Sequence, residues 1–273
     1  MRFYTPFFLI YLASYNPAFS GAWLLEEGEE LFIQSLYTYK SDTFVDSEKI
    51  KLDTYYKYEL NTYMEHGLTD NVTLGAIALY NFVEQEDLKN KGFGNSEFFI
   101  RVGLYQYYSN VFSIQANVKM PAIPSEELPK IGTKGWDVEW GLLYGKSFAN
   151  NDFLDLGIGY RERFSIELRD QIKWHAKYGF VINEGLTIMP ALYGTHKVGN
   201  PPKTEFTYTV GDALPTTIQV YYFENYYDLI KAEITAFYKI DEKWGVQVGG
   251  YKDIYTENTF KGYGGIVGLW RKF

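Results

Sequence analysis

The chain has 273 residues, a formal charge of −8 and no cysteine. This length suits one large all-β domain or two smaller ones. The acidic balance disfavours a nucleic-acid partner. The lack of cysteine excludes a disulfide framework and a thiolate metal site. Aromatic residues make up 19% of the chain, with 26 Tyr and 20 Phe, and these types favour strands and membrane–water interfaces.

The first residues have the features of a secretory signal peptide. A short apolar core follows Arg2, and Ala18-Phe19-Ser20 is a small-x-small cleavage site. We therefore predict a signal peptide over residues 1–20 and a mature domain over residues 21–273. The alternative is a buried strand at the N-terminus. The segment that follows, GAWLLEEGEE, is expected to be a periplasmic lead-in.

A period-two pattern dominates the rest of the chain. In the stretch 51–65, charged and polar residues alternate with apolar or aromatic ones, so one face of the strand meets water and the other an apolar phase. The stretch is longer than most strands of soluble sheets, and a tilted strand that spans a bilayer needs about 9–11 residues. Similar patterns predict twelve strands over residues 31–40, 51–65, 72–83, 97–107, 111–120, 136–146, 152–163, 170–182, 186–196, 227–240, 244–254 and 261–273.

The connections between these strands alternate between long and short. Polar loops are predicted over residues 41–50, 84–95, 121–135, 164–168, 196–226 and 255–260. Short turns on the periplasmic side and long loops outside are typical of outer-membrane barrels. Two β-like runs, residues 204–210 and 216–223, leave open a count of fourteen strands. Pro190 is expected to weaken the ninth strand.

Alternation also fits a soluble β-sandwich, whose apolar face points inward. Four features favour the membrane instead: the export signal, the strand length and number, aromatic residues near the ends of apolar faces, and the final residue, Phe273. Trp140, Trp174 and Phe180 are examples of such girdle residues. In lipid a sheet must close on itself to satisfy its backbone, so the predicted fold is an all-β, antiparallel, up-and-down transmembrane β-barrel.

The C-terminus carries a family resemblance. Phe273, with Leu269 and Val267 two-spaced before it, resembles the insertion signal of Gram-negative outer-membrane β-barrel proteins, although Arg271 departs from the usual apolar residue. The resemblance implies the cell outer membrane as location, and outer-membrane lipid and the barrel-assembly machinery as partners. The opening GAW, EEGEE and the later MEHGLTDNVTLGA are also similar to poorly characterised barrels labelled XagA-like.

No motif points to catalysis. GxSxG, HExxH and Walker loops are absent from the sequence, and its three histidines fall on separate segments. We therefore predict neither an enzyme nor a cofactor nor a metal site. A lipid-modifying enzyme would require Ser, His and an acid to converge in space.

Charged side chains are predicted to line the lumen. When residues are assigned to the inner face by their alternation, the seventh and eighth predicted strands carry a basic cluster and the sixth strand beside them carries acidic residues. Such a pair of walls would set a field across a pore and orient small charged or zwitterionic solutes. The alternative is that these charges pair and fill a narrow barrel. The candidate lumen and selectivity residues are Arg101, Lys119, Asp137, Glu139, Arg161, Arg163, Lys173, His175, Lys177, Lys231 and Glu233.

The favoured function is a passive channel for small hydrophilic solutes. The alternative is a closed structural or surface-interaction barrel that acts through its external loops, for example on surface polysaccharide. The sequence leaves the solute and the oligomeric state open.

Overall fold

The structure is a computed structural model that describes residues 21–45, 49–124, 127–164, 169–199 and 227–273. The proposed signal peptide and the β-like runs 204–210 and 216–223 lie outside these residues. The strands are β1 (Glu30–Val45), β2 (Lys49–Thr69), β3 (Val72–Gln85), β4 (Leu88–Phe93), β5 (Glu97–Tyr107), β6 (Asn110–Lys119), β7 (Trp136–Ser147), β8 (Phe153–Phe164), β9 (Gln171–Val181), β10 (Leu186–Lys197), β11 (Asp228–Lys239), β12 (Trp244–Glu257), β13 (Thr259–Phe260) and β14 (Tyr263–Lys272).

Twelve of these strands form one closed antiparallel barrel. β1 pairs with β2 on one side and with β14 on the other, so the described sheet has no open edge between its first and last strands. β4 pairs with β3, and the short β13 pairs with the last residues of β1. β10 and β11 pair directly, from Leu186 opposite Tyr238 to Thr195 opposite Leu229. The predicted barrel of twelve strands is therefore confirmed, and the alternative of fourteen is excluded.

The barrel wall is apolar outside and charged inside, which is the reverse of a soluble protein. On the outside, Leu60, Trp140 and Val267 are 46%, 61% and 60% exposed. On the inside, Asp137 and Asp155 are fully buried. A closed barrel with an apolar outer surface and charges within is the arrangement of a membrane barrel, because lipid can cover the exposed apolar groups. No helix of the described residues is long and apolar enough to cross a membrane.

Three predicted loops are largely strand: 41–50, 84–95 and 255–260, where β12 reaches Glu257 and β13 covers Thr259–Phe260. β1 and β2 stay paired up to Val45 opposite Lys49, so the predicted loop 41–50 was wrong for most of its length. β3 runs to Gln85 and folds back into β4, which occupies the predicted loop 84–95. Polar and charged residues form these segments because both hairpins continue past the apolar belt, where their side chains meet water rather than lipid.

Pro190 interrupts one ladder without ending its strand. It pairs with Ile234 of β11, whereas the register with β9 skips from Ile188 to Ala191. Proline has no N–H to donate, so the gap in the hydrogen-bond ladder falls on the side of β10 that faces β9, where the donor is missing.

A cluster of buried apolar side chains lies inside the barrel near its short-turn end. They come from the first residues of strands that start there, from the last residues of strands that finish there, and from the segment before β1. The buried members of this apolar plug are Leu25, Leu31, Ile33, Phe153, Met189, Phe237 and Trp270. Short turns are typical of the periplasmic side of outer-membrane barrels, so the plug lies at the periplasmic end.

Candidate functional site

The lumen is the candidate site, and the eleven residues singled out above lie on its wall. Most of them are held in ion pairs rather than standing free. The register of β7 with β8 sets Asp137 opposite Arg163 and Glu139 opposite Arg161. The predicted basic group and its acidic neighbour are therefore interleaved across one hairpin instead of forming two separate walls.

Asp137 is the centre of the ion-pair network. Its side chain is fully buried, and three cations surround it: Lys119 at 3.2 Å, Arg163 at 3.5 Å and Arg161 at 4.0 Å. A carboxylate without solvent is costly unless cations compensate it. These three contacts supply that compensation, and they tie β6, β7 and β8 together on the inside.

Arg161 extends the network to a more distant strand. It contacts Glu139 at 2.7 Å and Glu97 at 3.1 Å. Glu97 lies on β5, three strands from β8 around the wall. Lys173 of β9 joins at 3.6 Å from Glu139, and its side chain is 36% exposed, so it faces the remaining lumen space.

A second cluster surrounds Asp155. His175 Nε2 lies 3.4 Å and Lys177 Nζ 3.7 Å from its carboxylate oxygens. Asp155 is fully buried, whereas His175 and Lys177 remain partly accessible. On β11, two strands from β9 around the wall, Lys231 places its ammonium 4.4 Å from the centre of the Tyr251 ring.

The segment Gly21–Glu29 lies at the periplasmic end, with its first five residues inside the barrel; we name it the N-terminal strap. Its backbone is anchored by Gly28 N–H to Gly67 O at 2.9 Å, and by Leu25 N–H to Thr73 Oγ1 at 3.2 Å. Its carbonyl at Trp23 accepts a hydrogen bond from Arg101 Nη1 at 2.9 Å. The expectation of a periplasmic lead-in missed that residues 21–25 enter the barrel, where Gly21, Ala22 and Leu25 are buried. The next residues, 26–28, are exposed beside the turn between β2 and β3, as a lead-in would be.

Two side chains pack the N-terminal strap against the barrel interior. Leu25 is 2% exposed within the apolar plug, and the Trp23 ring meets Phe153 edge-on, with centroids 5.8 Å apart. Gly67 of β2 lets the strap backbone pack close to that strand, since a Cβ on Gly67 would lie 2.0 Å from the Glu26 carbonyl oxygen.

A cavity of about 140 Å³ lies against the apolar plug. Its wall mixes apolar, aromatic and polar groups with one cation, Lys177, and one carboxylate, Glu233. The pattern of alternation did not single out the neutral members of this lining. They are Ile33, Ser35, Tyr37, Asn61, Tyr63, Met189, Tyr193, Thr235, Gln247 and Trp270.

The connection between β6 and β7 folds over the external end. Phe93 and Ile123 exchange backbone hydrogen bonds of 2.9 and 2.8 Å, and Asn81 Nδ2 donates to Ile131 O at 2.7 Å. Val83, Ala122 and Ile131 form a small buried cluster beneath it. The described part of this connection, predicted as a free loop, is thus attached to the β3–β4 hairpin.

The three histidines lie in different places. His66 is 3.4 Å from Glu30 at the periplasmic end, His196 is 2.8 Å from Asp228 at the external end, and His175 is in the lumen. Among the described residues, no group of three or more His, Asp or Glu is arranged to hold a metal ion.

Solved structures of outer-membrane barrels are similar to this chain. The COG4313 outer membrane channel from Pseudomonas putida F1 matches 94% of this chain and 99% of its own, with 15% identity and a TM-score of 0.70. The KdgM porin, solved with disordered oligogalacturonate, matches 88% of this chain and 99% of its own, with 11% identity and a TM-score of 0.51. The CymD monoaromatic hydrocarbon channel matches 91% of each chain, with 6% identity and a TM-score of 0.51.

The prediction of an outer-membrane β-barrel is confirmed at the level of the fold. No family model matches the sequence, and no curated relative matches it. None of these comparisons confirms the narrower resemblance to the XagA-like group.

Proposed function

We propose that the protein is a passive outer-membrane channel for small hydrophilic solutes, with the N-terminal strap as its constriction. The observation that carries the proposal is the cavity against the apolar plug, the cluster to which Leu25 of the strap belongs. It places a cation, a carboxylate and several uncharged hydrogen-bonding groups around one space inside a closed barrel. Such a lining replaces the hydration of a small polar or zwitterionic solute without holding it tightly.

The charge arrangement supports a narrow path. The ion-pair network makes much of one wall rigid, because its carboxylates and cations compensate each other. Lys173, Lys177 and Glu233 remain beside open space, and the proposed selectivity acts through them. Arg101, Lys119, Asp137, Glu139, Arg161, Arg163, His175 and Lys231 position the wall around that path.

The fold neighbours support transport in general terms. Two of them are described as channels and the third as a porin. They differ in their small molecules, since one was solved in complex with oligogalacturonate and another is described as a monoaromatic hydrocarbon channel. A charged, hydrogen-bonding lining favours the hydrophilic class for this chain.

Liposome swelling tests the proposal. The purified folded barrel is reconstituted, and swelling rates are compared in neutral sugars, zwitterionic amino acids and their larger oligomers. We expect small solutes to enter at rates that fall steeply with size, because the strap and the network narrow the lumen. Protein-free liposomes and liposomes with heat-unfolded protein serve as controls.

Two structural features favour the second candidate, a closed barrel that acts through its external loops. The described part of the β6–β7 connection is packed onto the external hairpin, and the apolar plug lies inside the barrel near the periplasmic end. If liposomes with folded protein swell no faster than protein-free ones in every solute, the channel proposal fails and this candidate takes its place.

A further inference from the structure

The first described residue, Gly21, packs directly on the carboxylate of Asp155. A Cβ added to Gly21 would lie 2.5 Å from Oδ1 and 2.6 Å from both Cγ and Oδ2. Both residues are buried, Asp155 completely. Only a residue without a side chain fits this contact, so the Gly21 backbone itself is the group presented to the carboxylate.

The Asp155 carboxylate lacks close donors. Neither oxygen accepts a hydrogen bond from the described residues. Its two cationic neighbours, His175 and Lys177, remain 3.4 and 3.7 Å away. A buried carboxylate normally accepts several hydrogen bonds, and leaving it without them is costly. A further donor at the point where Gly21 packs would therefore stabilise this carboxylate.

The sequence supplies such a donor at the same residue. The small-x-small pattern Ala18-Phe19-Ser20 ends directly before Gly21. Hydrolysis of the Ser20–Gly21 peptide bond by a signal peptidase adds water, leaves a carboxylate on Ser20 and frees an amine on Gly21. That amine takes up a proton near neutral pH and carries three N–H donors.

We propose that cleavage after Ser20 creates the anchor of the strap, an ion pair between the Gly21 α-ammonium and Asp155. Before cleavage the same nitrogen is an uncharged amide with one N–H and cannot fill this role. Removal of the signal peptide then locks the N-terminal strap into the lumen. The proposal does not depend on whether the lumen conducts.

Amine labelling tests the anchor. The full chain, with its own leader, is expressed in a Gram-negative host, and the folded barrel is purified from its outer membrane. Intact mass identifies the N-terminal residue. A small amine-reactive ester, applied near pH 7, then measures how fast the α-amine reacts in the folded and in the unfolded protein.

We expect a chain that begins at Gly21 and an α-amine that reacts at least about tenfold more slowly when folded, which corresponds to about 1.4 kcal/mol of protection. Asp155→Asn removes the charge and is expected to abolish most of this protection. Asp253→Asn is the matched control, because Asp253 is another buried carboxylate, held by Tyr39 and the Gly262 N–H on a different part of the wall. It is expected to leave the protection unchanged.

A second variant covers the case in which Asp155→Asn does not fold. One Ala inserted between Ser20 and Gly21 keeps Asp155 but moves the amine by about 3.8 Å along the chain. We expect it to lose the protection. Equal reactivity of the wild-type amine in the folded and unfolded states, protection that survives either change, or a mature chain that begins elsewhere would overturn the proposal.

Discussion

Arg101 and Glu65 form an ion pair that spans a strand. Nη1 and Oε1 are 2.8 Å apart, and both side chains are 2% exposed. Glu65 lies on β2 and Arg101 on β5, with β3 between them. Arg101 also donates through Nε to Gln115 and through Nη1 to the Trp23 carbonyl. One guanidinium therefore joins three strands of the wall to the N-terminal strap.

Removing one partner of this pair is expected to destabilise the barrel. Arg101→Met leaves Glu65 buried without its cation, and such a loss costs about 3–5 kcal/mol. Replacing both, as Arg101→Met with Glu65→Leu, is expected to restore much of the stability. The measurement is the urea midpoint of unfolding, followed by the heat-modifiable electrophoretic mobility of the barrel.

The control for this series is the exposed pair between Lys51 and Asp42, whose Nζ–Oδ2 distance is also 2.8 Å. Lys51→Gln is expected to leave the midpoint unchanged, because solvent screens exposed pairs. If Arg101→Met were as harmless as Lys51→Gln, the buried pair would not hold the wall.

A close contact between Gly75 and Phe99 gives a second prediction. A Cβ on Gly75 would lie 2.0 Å from Cζ at the tip of the Phe99 ring. The centre of the same ring lies 5.3 Å from the guanidinium carbon of Arg101. Gly75→Ala must displace this ring, and overpacking of this kind costs about 1–3 kcal/mol. Denaturant unfolding measures the loss.

Gly141→Ala is the matched control, since the nearest atoms to its added Cβ are backbone oxygens at 3.6 and 3.9 Å. Its stability is expected to stay within about 0.5 kcal/mol of the wild type. Equal losses in the two variants would show that the Phe99 contact is not the cause.

Ion selectivity gives the third prediction. Lys173 and Lys177 border the open part of the lumen, so replacing both by Gln removes fixed positive charge from the path. The reversal potential across a salt gradient is expected to shift toward cation preference. Arg161 and Arg163 are left in place, because their loss would disrupt the ion-pair network.

Lys252→Gln, an exposed change in β12, is the control for this measurement. It is expected to leave the reversal potential at the wild-type value. A double variant that also keeps the wild-type value would remove Lys173 and Lys177 from the selectivity assignment.

The number and faces of the strands were predictable from sequence because both depend on local alternation. The stretch 51–65 is an example, since its alternate residues Tyr58, Leu60 and Met64 are exposed on the outer face. The hairpin extensions at 41–45 and 88–93 were missed because strands outside the membrane belt carry polar residues on both faces. There the pattern that marks a spanning strand disappears.

The pairing of the lumen charges was only partly predictable. Direct neighbours such as Asp137 and Arg163 follow from the hairpin register, once the turn is known. The contact between Arg161 and Glu97 crosses two intervening strands and depends on the curvature of the closed wall. The strap was missed because a short segment without periodicity gives no sign of which surface will bury it.

The most direct test of the central claim is single-channel conductance in planar bilayers, compared between the wild type and a strap variant, Trp23→Ala with Leu25→Ala. Leu36→Ala, a lipid-facing change at a residue 46% exposed, is the control. We expect small conductance steps for the wild type and for Leu36→Ala, and larger steps for the strap variant, because its constriction is loosened. A folded strap variant that is silent, or that gives steps of wild-type size, would contradict a channel constricted by the N-terminal strap.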